Sequence, residues 1–116
     1  MKDISWKNKQ VQQLVDAFVY IDSSIEAEAF LRDLLTADEI MEFSRRLEAA
    51  RLLSNKTAYT DITDKTGLSS TTIARIAKWL RGPIGGYRTV LGKLSATMHH
   101  HNPISKLGKG LSLTRT

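Results

Sequence analysis

The sequence contains no cysteine. Disulfide staples, thiolate chemistry and cysteine-ligated zinc are therefore excluded, and a reducing, cytoplasmic address is expected. Proline occurs only at Pro83 and Pro103, beyond the long periodic stretches, so nothing in the earlier part of the chain forbids helix. No apolar run approaches the ~18–20 residues of a membrane span. The N-terminus, Met1-Lys2-Asp3-Ile4-Ser5-Trp6, lacks the apolar segment of a secretory signal. No P-loop, HExxH pair or nucleophile elbow occurs, so no enzymatic activity is expected. Acidic residues are absent after Asp64.

What is present is one domain's worth of ordinary globular composition. The chain has 116 residues, 41% of them hydrophobic and 25% charged. The net charge of +5 is unevenly placed. Residues 1–58 carry 8 Lys/Arg and 10 Asp/Glu, whereas residues 59–116 carry 9 Lys/Arg and 2 Asp/Glu. A cationic second half points to a polyanion partner, nucleic acid or a membrane surface.

Apolar periodicity predicts an all-α chain. Val11, Leu14, Val15, Phe18, Val19 and Ile21 recur at helical spacing over 7–21. Ser24 is placed to cap a second helix, which carries Ile25, Ala29, Phe30, Leu31, Leu34 and Leu35. Thr36-Ala37-Asp38-Glu39 has the spacing of a capping box and opens a third helix running to about Ser54. Ile40, Met41, Phe43, Leu47, Ala49, Ala50, Leu52 and Leu53 make that helix apolar on more than one side. Such a helix is central to its domain or shared with a second subunit. A short helix from Ala58 to Lys65, with Thr57 as its cap, ends at Gly67, a residue suited to left-handed backbone. Ser69 or Ser70 caps the next helix, which ends before Gly82-Pro83. A last helix is expected over Tyr87–Met98, with Val90, Leu91, Leu94 and Met98 inward. Residues 99–116 are expected to be a disordered basic tail, leaving 1–98 as the folded domain.

Two short helices joined by a glycine-containing turn are the pattern of a helix-turn-helix, here about 58–81. Ile62, Ile73 and Ile76 are the expected crossing contacts, Thr63 the close approach and Leu68 the plug beneath the turn. The outward face opens with Ser69, Ser70, Thr71 and Thr72, small hydroxyl side chains that fit a major groove. Ala74, Arg75 and Lys78 continue it. Two readings follow. One is a sequence-specific DNA-binding repressor contacting double-stranded DNA through these seven residues. The other is a helical dimerisation module that binds a protein or RNA.

The segments Arg46-Leu47-Glu48-Ala49-Ala50-Arg51-Leu52-Leu53 and Thr66-Gly67-Leu68-Ser69-Ser70-Thr71-Thr72-Ile73-Ala74-Arg75 resemble the Trp repressor superfamily, in particular its YerC/YecD-type TrpR-related group. The resemblance covers about 10–90, including Leu35-Thr36-Ala37-Asp38-Glu39. It implies an all-α, six-helix Trp-repressor-like fold, with helix-turn-helix units in an intertwined homodimer. It also implies an effector cleft, in which two arginines matched by Arg46 and Arg75 sandwich a tryptophan. The ligand-binding member has glycine after the second arginine, where this chain has Ile76. That side chain is expected to fill the space, so no tryptophan corepressor and no other cofactor is expected.

Three further features carry less chemistry. His99-His100-His101 stand on no fixed scaffold, so no metal site is expected. Trp6 and Trp79 have faces that could stack on bases, but a helical tryptophan such as Trp79 more often anchors helix packing or a dimer surface. Asp61 and Asp64 have no histidine beside them and read as a solvated turn.

Overall fold

The structure is a computed structural model and describes residues 3–100. Among the described residues there are six α-helices and no strand: α1 (Lys9–Tyr20), α2 (Ser24–Leu34), α3 (Ala37–Ser54), α4 (Tyr59–Thr66), α5 (Ser70–Arg81) and α6 (Gly86–His100). The all-α expectation holds helix for helix. Helix α6 runs two residues beyond the expected Met98, through His99 and His100. His101 and the rest of the expected tail lie outside the described residues.

The helix starts follow from local hydrogen bonding. The capping box forms in both directions: the Glu39 N–H donates to Thr36 Oγ1 at 3.1 Å, and the Thr36 N–H donates to Glu39 Oε1 at 2.9 Å. Ser23, rather than the expected Ser24, caps α2, its Oγ accepting the Glu26 N–H at 3.1 Å. Asn8 caps α1 by accepting the Gln10 and Val11 N–H groups. Thr57 does not cap α4; Ala58 stands at that position with no side-chain bond.

By internal contact the chain divides into two units, with the boundary inside α3 between Glu42 and Phe43. The first unit holds α1, α2 and the start of α3. Phe18 and Phe30 meet edge to face, with ring centroids 5.9 Å apart. No residue of α1 or α2 is buried. Phe18 remains 54% exposed, Val19 71% and Ile25 82%.

The second unit holds the core. Ala49, Ala50 and Leu52 of α3, Ile62 of α4, Leu68 of the turn, and Ile73 and Ile76 of α5 form one buried cluster. Leu53, Tyr87 and Leu91 pack against it. One side of α3 is thus consumed by its own chain, while Met41, Phe43 and Leu47 stay exposed. On α6, Leu91 points inward as expected, but Val90 and Leu94 are exposed. Val90 is turned about 100° from Leu91 around the helix axis, while Leu94, on the same side as Leu91 but one turn further on, stays at the surface.

Candidate nucleic-acid interface

Helices α4 and α5 pack against each other, as do α5 and α6. The turn between α4 and α5 consists of Gly67, Leu68 and Ser69. Gly67 has φ +75, the left-handed region expected for it, and its N–H donates to the Thr63 carbonyl at 2.8 Å. Leu68 is buried beneath the turn, as its apolar character required. Thr63 is only half-buried, and its hydroxyl donates to the Tyr59 carbonyl at 3.0 Å. The buried threonine is Thr66, at 6% exposure. Its hydroxyl donates to the Ile62 carbonyl at 2.7 Å and accepts the Leu68 N–H at 3.2 Å. Sequence reasoning missed this role, because a threonine at a helix end carries no signal of which way its hydroxyl will turn.

Helix α5 separates cleanly into two faces. Ile73, Ile76, Ala77 and Leu80 are buried, at the spacing of one helical stripe. Ser70, Thr71, Ala74, Arg75 and Lys78 are exposed, and Thr72 is half-buried on the flank. Ser69 is the N-cap: its Oγ accepts the Thr72 N–H at 3.1 Å and its hydroxyl donates to Thr72 Oγ1 at 3.0 Å. Two of the expected contact residues are therefore engaged with each other at the start of the helix. No acidic residue occupies the first turn of α5, and Lys78 and Arg81 lie in its last turn. Trp79 is 55% exposed, so it does not anchor packing within its own chain.

The effector-cleft pair divides differently. The Arg46 guanidinium lies over the Phe43 ring, 5.8 Å from its centroid. Arg75 projects from the exposed face of α5, and Ile76 beside it belongs to the buried cluster at 3% exposure. Arg51 forks onto Glu48 with two bonds of 2.8 Å. That hydrogen bonding holds the Glu48 carboxyl below the usual carboxylate range, against a smaller opposing effect of desolvation. A cavity of about 820 Å³ lies along the end of α3 and α6, between Arg51, Asn55, Arg88, Leu91 and Leu94. None of the expected site residues lines it. Among the described residues no group of histidines and carboxylates is placed to hold a metal ion, and no helix is long and apolar enough to cross a membrane.

Comparison with known proteins agrees with this architecture. The Trp repressor protein family matches residues 9–95, from the start of α1 to most of α6. The uncharacterized protein YerC of Bacillus subtilis (strain 168) is 31% identical over 91 residues, spanning 78% of this chain and 88% of the relative. The crystal structure of a TrpR like protein from Eubacterium eligens ATCC 27750 superposes with a TM-score of 0.72 at 36% identity, covering 78% of this chain and 93% of that one.

Proposed function

The chain belongs to the Trp repressor family, whose members are DNA-binding regulators rather than enzymes, and on that premise we propose that it is a sequence-specific transcriptional repressor acting as a homodimer. Helices α4 and α5 are its helix-turn-helix, and α5 is the helix that enters the major groove. The observation that carries the reading is the division of α5. Its buried stripe ties it to the core, while the exposed side of its first two turns offers small and cationic side chains, Ser70, Thr71, Ala74 and Arg75, followed by Lys78, with Trp79 exposed near the end of the helix. Thr71, Ala74 and Arg75 are placed to read base edges, and Lys78 to meet a phosphate. Ser69 and Thr72 shape the helix start and present its N-terminal dipole to the backbone. The absence of acidic residues after Asp64 favours the same partner.

The homodimer is supported by the apolar residues that one chain leaves uncovered. Leu14, Val15, Phe18, Val19, Leu34, Met41, Phe43 and Leu47 are all exposed, on helices with no buried residue of their own or with one side unused. Apolar area left in water forgoes roughly 25 cal/mol per Å², and two-fold closure is the commonest way to recover it. Tryptophan is not its effector in this reading, because Ile76 fills core space beside Arg75. The protein works in the cytoplasm, where its DNA is.

Selection from a pool of random duplexes, followed by binding at several salt concentrations, tests the proposal. One enriched sequence, bound with a steep salt dependence and clear preference over random duplex, is expected. No enrichment, or capture of RNA in preference to duplex, would replace it with the interaction-module reading.

A further inference from the structure

Helix α5 ends without the closure that glycine usually provides. Gly82 stands at its C-cap with φ −71 and ψ 170, outside the left-handed region, and its N–H bonds back to the Trp79 carbonyl. A helix terminus of this kind leaves carbonyls in need of donors. They come from the next helix. Arg88, in the first turn of α6, reaches back and donates from Nη1 to the Leu80 carbonyl at 2.5 Å and to the Gly82 carbonyl at 2.8 Å. A cation at this end also opposes the negative pole of α5.

The space for that reach is made by Gly85. A Cβ built there would lie 2.6 Å from Arg88 Nη2 and 3.1 Å from Cζ. The backbone of Gly85, at φ +73, is also one that other residues rarely adopt. The Gly82–Arg88 segment is thus shaped around one guanidinium. Its Nη1 grips the end of the helix whose exposed face carries Arg75 and Lys78.

We propose that Arg88 is a positioning residue for DNA reading: by clamping the C-terminal carbonyls of α5 to α6 it sets the angle at which Thr71, Ala74, Arg75 and Lys78 meet the base edges. This rests on the proposed function for its DNA consequence, but the clamp itself is a property of the free protein. Base contacts need their side chains held within about 0.5 Å, whereas general phosphate attraction tolerates a loosened helix. Arg88 therefore governs selectivity more than bulk affinity. Its charge is not sufficient: a lysine carries the same charge, but its nitrogen sits one bond nearer the backbone and has no planar group to lie over Gly85.

The full chain is compared with Arg88→Ala, Arg88→Lys and Gly85→Ala by two measurements, after melting curves establish that each variant folds. The first is amide hydrogen exchange without DNA. Exchange at Lys78–Gly82 is expected to speed up about tenfold or more in Arg88→Ala and Gly85→Ala, with α4 unchanged, as loss of a charge-assisted bond implies. The second is binding to a selected duplex and to a random duplex of equal length. Arg88→Lys is expected to lose about fivefold or more on the selected duplex and to match the parent on random duplex. Unchanged exchange at the end of α5 would overturn the clamp. Parental selectivity in Arg88→Lys, or equal weakening of both duplexes by Arg88→Ala, would make Arg88 a phosphate contact and overturn the positioning role. Where Arg88→Ala does not fold, Arg88→Lys carries both measurements. If the parent binds no duplex, the proposed function fails and hydrogen exchange alone decides the clamp.

Discussion

Thr66 and Leu68 are joined inside the turn between α4 and α5: the buried Thr66 hydroxyl accepts the Leu68 N–H at 3.2 Å while donating to the Ile62 carbonyl. One side chain thus satisfies the backbone group that the left-handed Gly67 turns inward. Thr66→Val keeps the shape and removes the acceptor, leaving the Leu68 N–H buried and unpaired. It is expected to cost roughly 1–3 kcal/mol in urea unfolding, and Thr66→Ser distinctly less. A valine variant as stable as the parent would show that the turn is held by packing alone.

The uncovered apolar residues of α1, α2 and α3 predict a stable dimer. Sedimentation equilibrium at micromolar concentration is expected to give ~26 kDa, twice the 13.0 kDa of the chain. Phe18→Asp should shift the distribution toward monomer and lower the melting temperature. A folded 13.0 kDa species that persists on dilution would contradict this.

On α5, Thr71→Ala and Arg75→Ala are expected to relax sequence preference, each costing roughly 1–3 kcal/mol on the selected duplex and little on random DNA. Lys78→Ala should weaken all duplexes alike and flatten the salt slope by about one unit. Ser69→Ala acts earlier, through the cap, and is expected to cost about 1 kcal/mol of stability. Equal losses on both duplexes for every variant would remove α5 as the reading helix.

L-tryptophan is expected to leave DNA affinity unchanged, because an effector works only through a difference in affinity for two states. Ile76, the residue after Arg75, is buried in one cluster with Ile62, Leu68 and Ile73. Calorimetric titration together with DNA binding at saturating tryptophan tests the point. Micromolar binding accompanied by tightened DNA affinity would restore a corepressor mechanism through Arg46 and Arg75.

The Glu48–Arg51 pair predicts a small acid sensitivity. The carboxyl is held below its ordinary value of 4.5 by the Arg51 guanidinium, so its contribution is present above that pH and is lost as pH falls through the lowered value. Glu48→Gln is expected to be slightly less stable than the parent at neutral pH. The gap should close in strong acid, and it stays small because both side chains are about half exposed. A gap independent of pH would assign the residue a role other than charge.

Much of this molecule was legible in the sequence because its signals are short-range. The Thr36–Glu39 capping box, the Gly67 turn and the buried stripe Ile73–Ile76–Leu80 each link residues no more than four positions apart, and backbone geometry converts such spacing directly into contact. The exposed face of α5 followed, since what is not in the stripe must face outward. Other features were settled only by tertiary packing. Residue type alone did not distinguish Ser23 from Ser24 as a cap, nor Thr66 from Thr63 as the buried hydroxyl. Val90 and Leu94 carry the same apolar character as Leu91, yet only Leu91 reaches the core. Arg88 had no signal at all: its partners Leu80 and Gly82 lie at the end of α5 and in its C-cap, and a cation in such a segment reads as solvated surface until the chain turns back on itself. Local hydrogen bonding and periodicity determine which helices form, whereas the direction a side chain takes at a helix end depends on which neighbour the folded chain brings within reach.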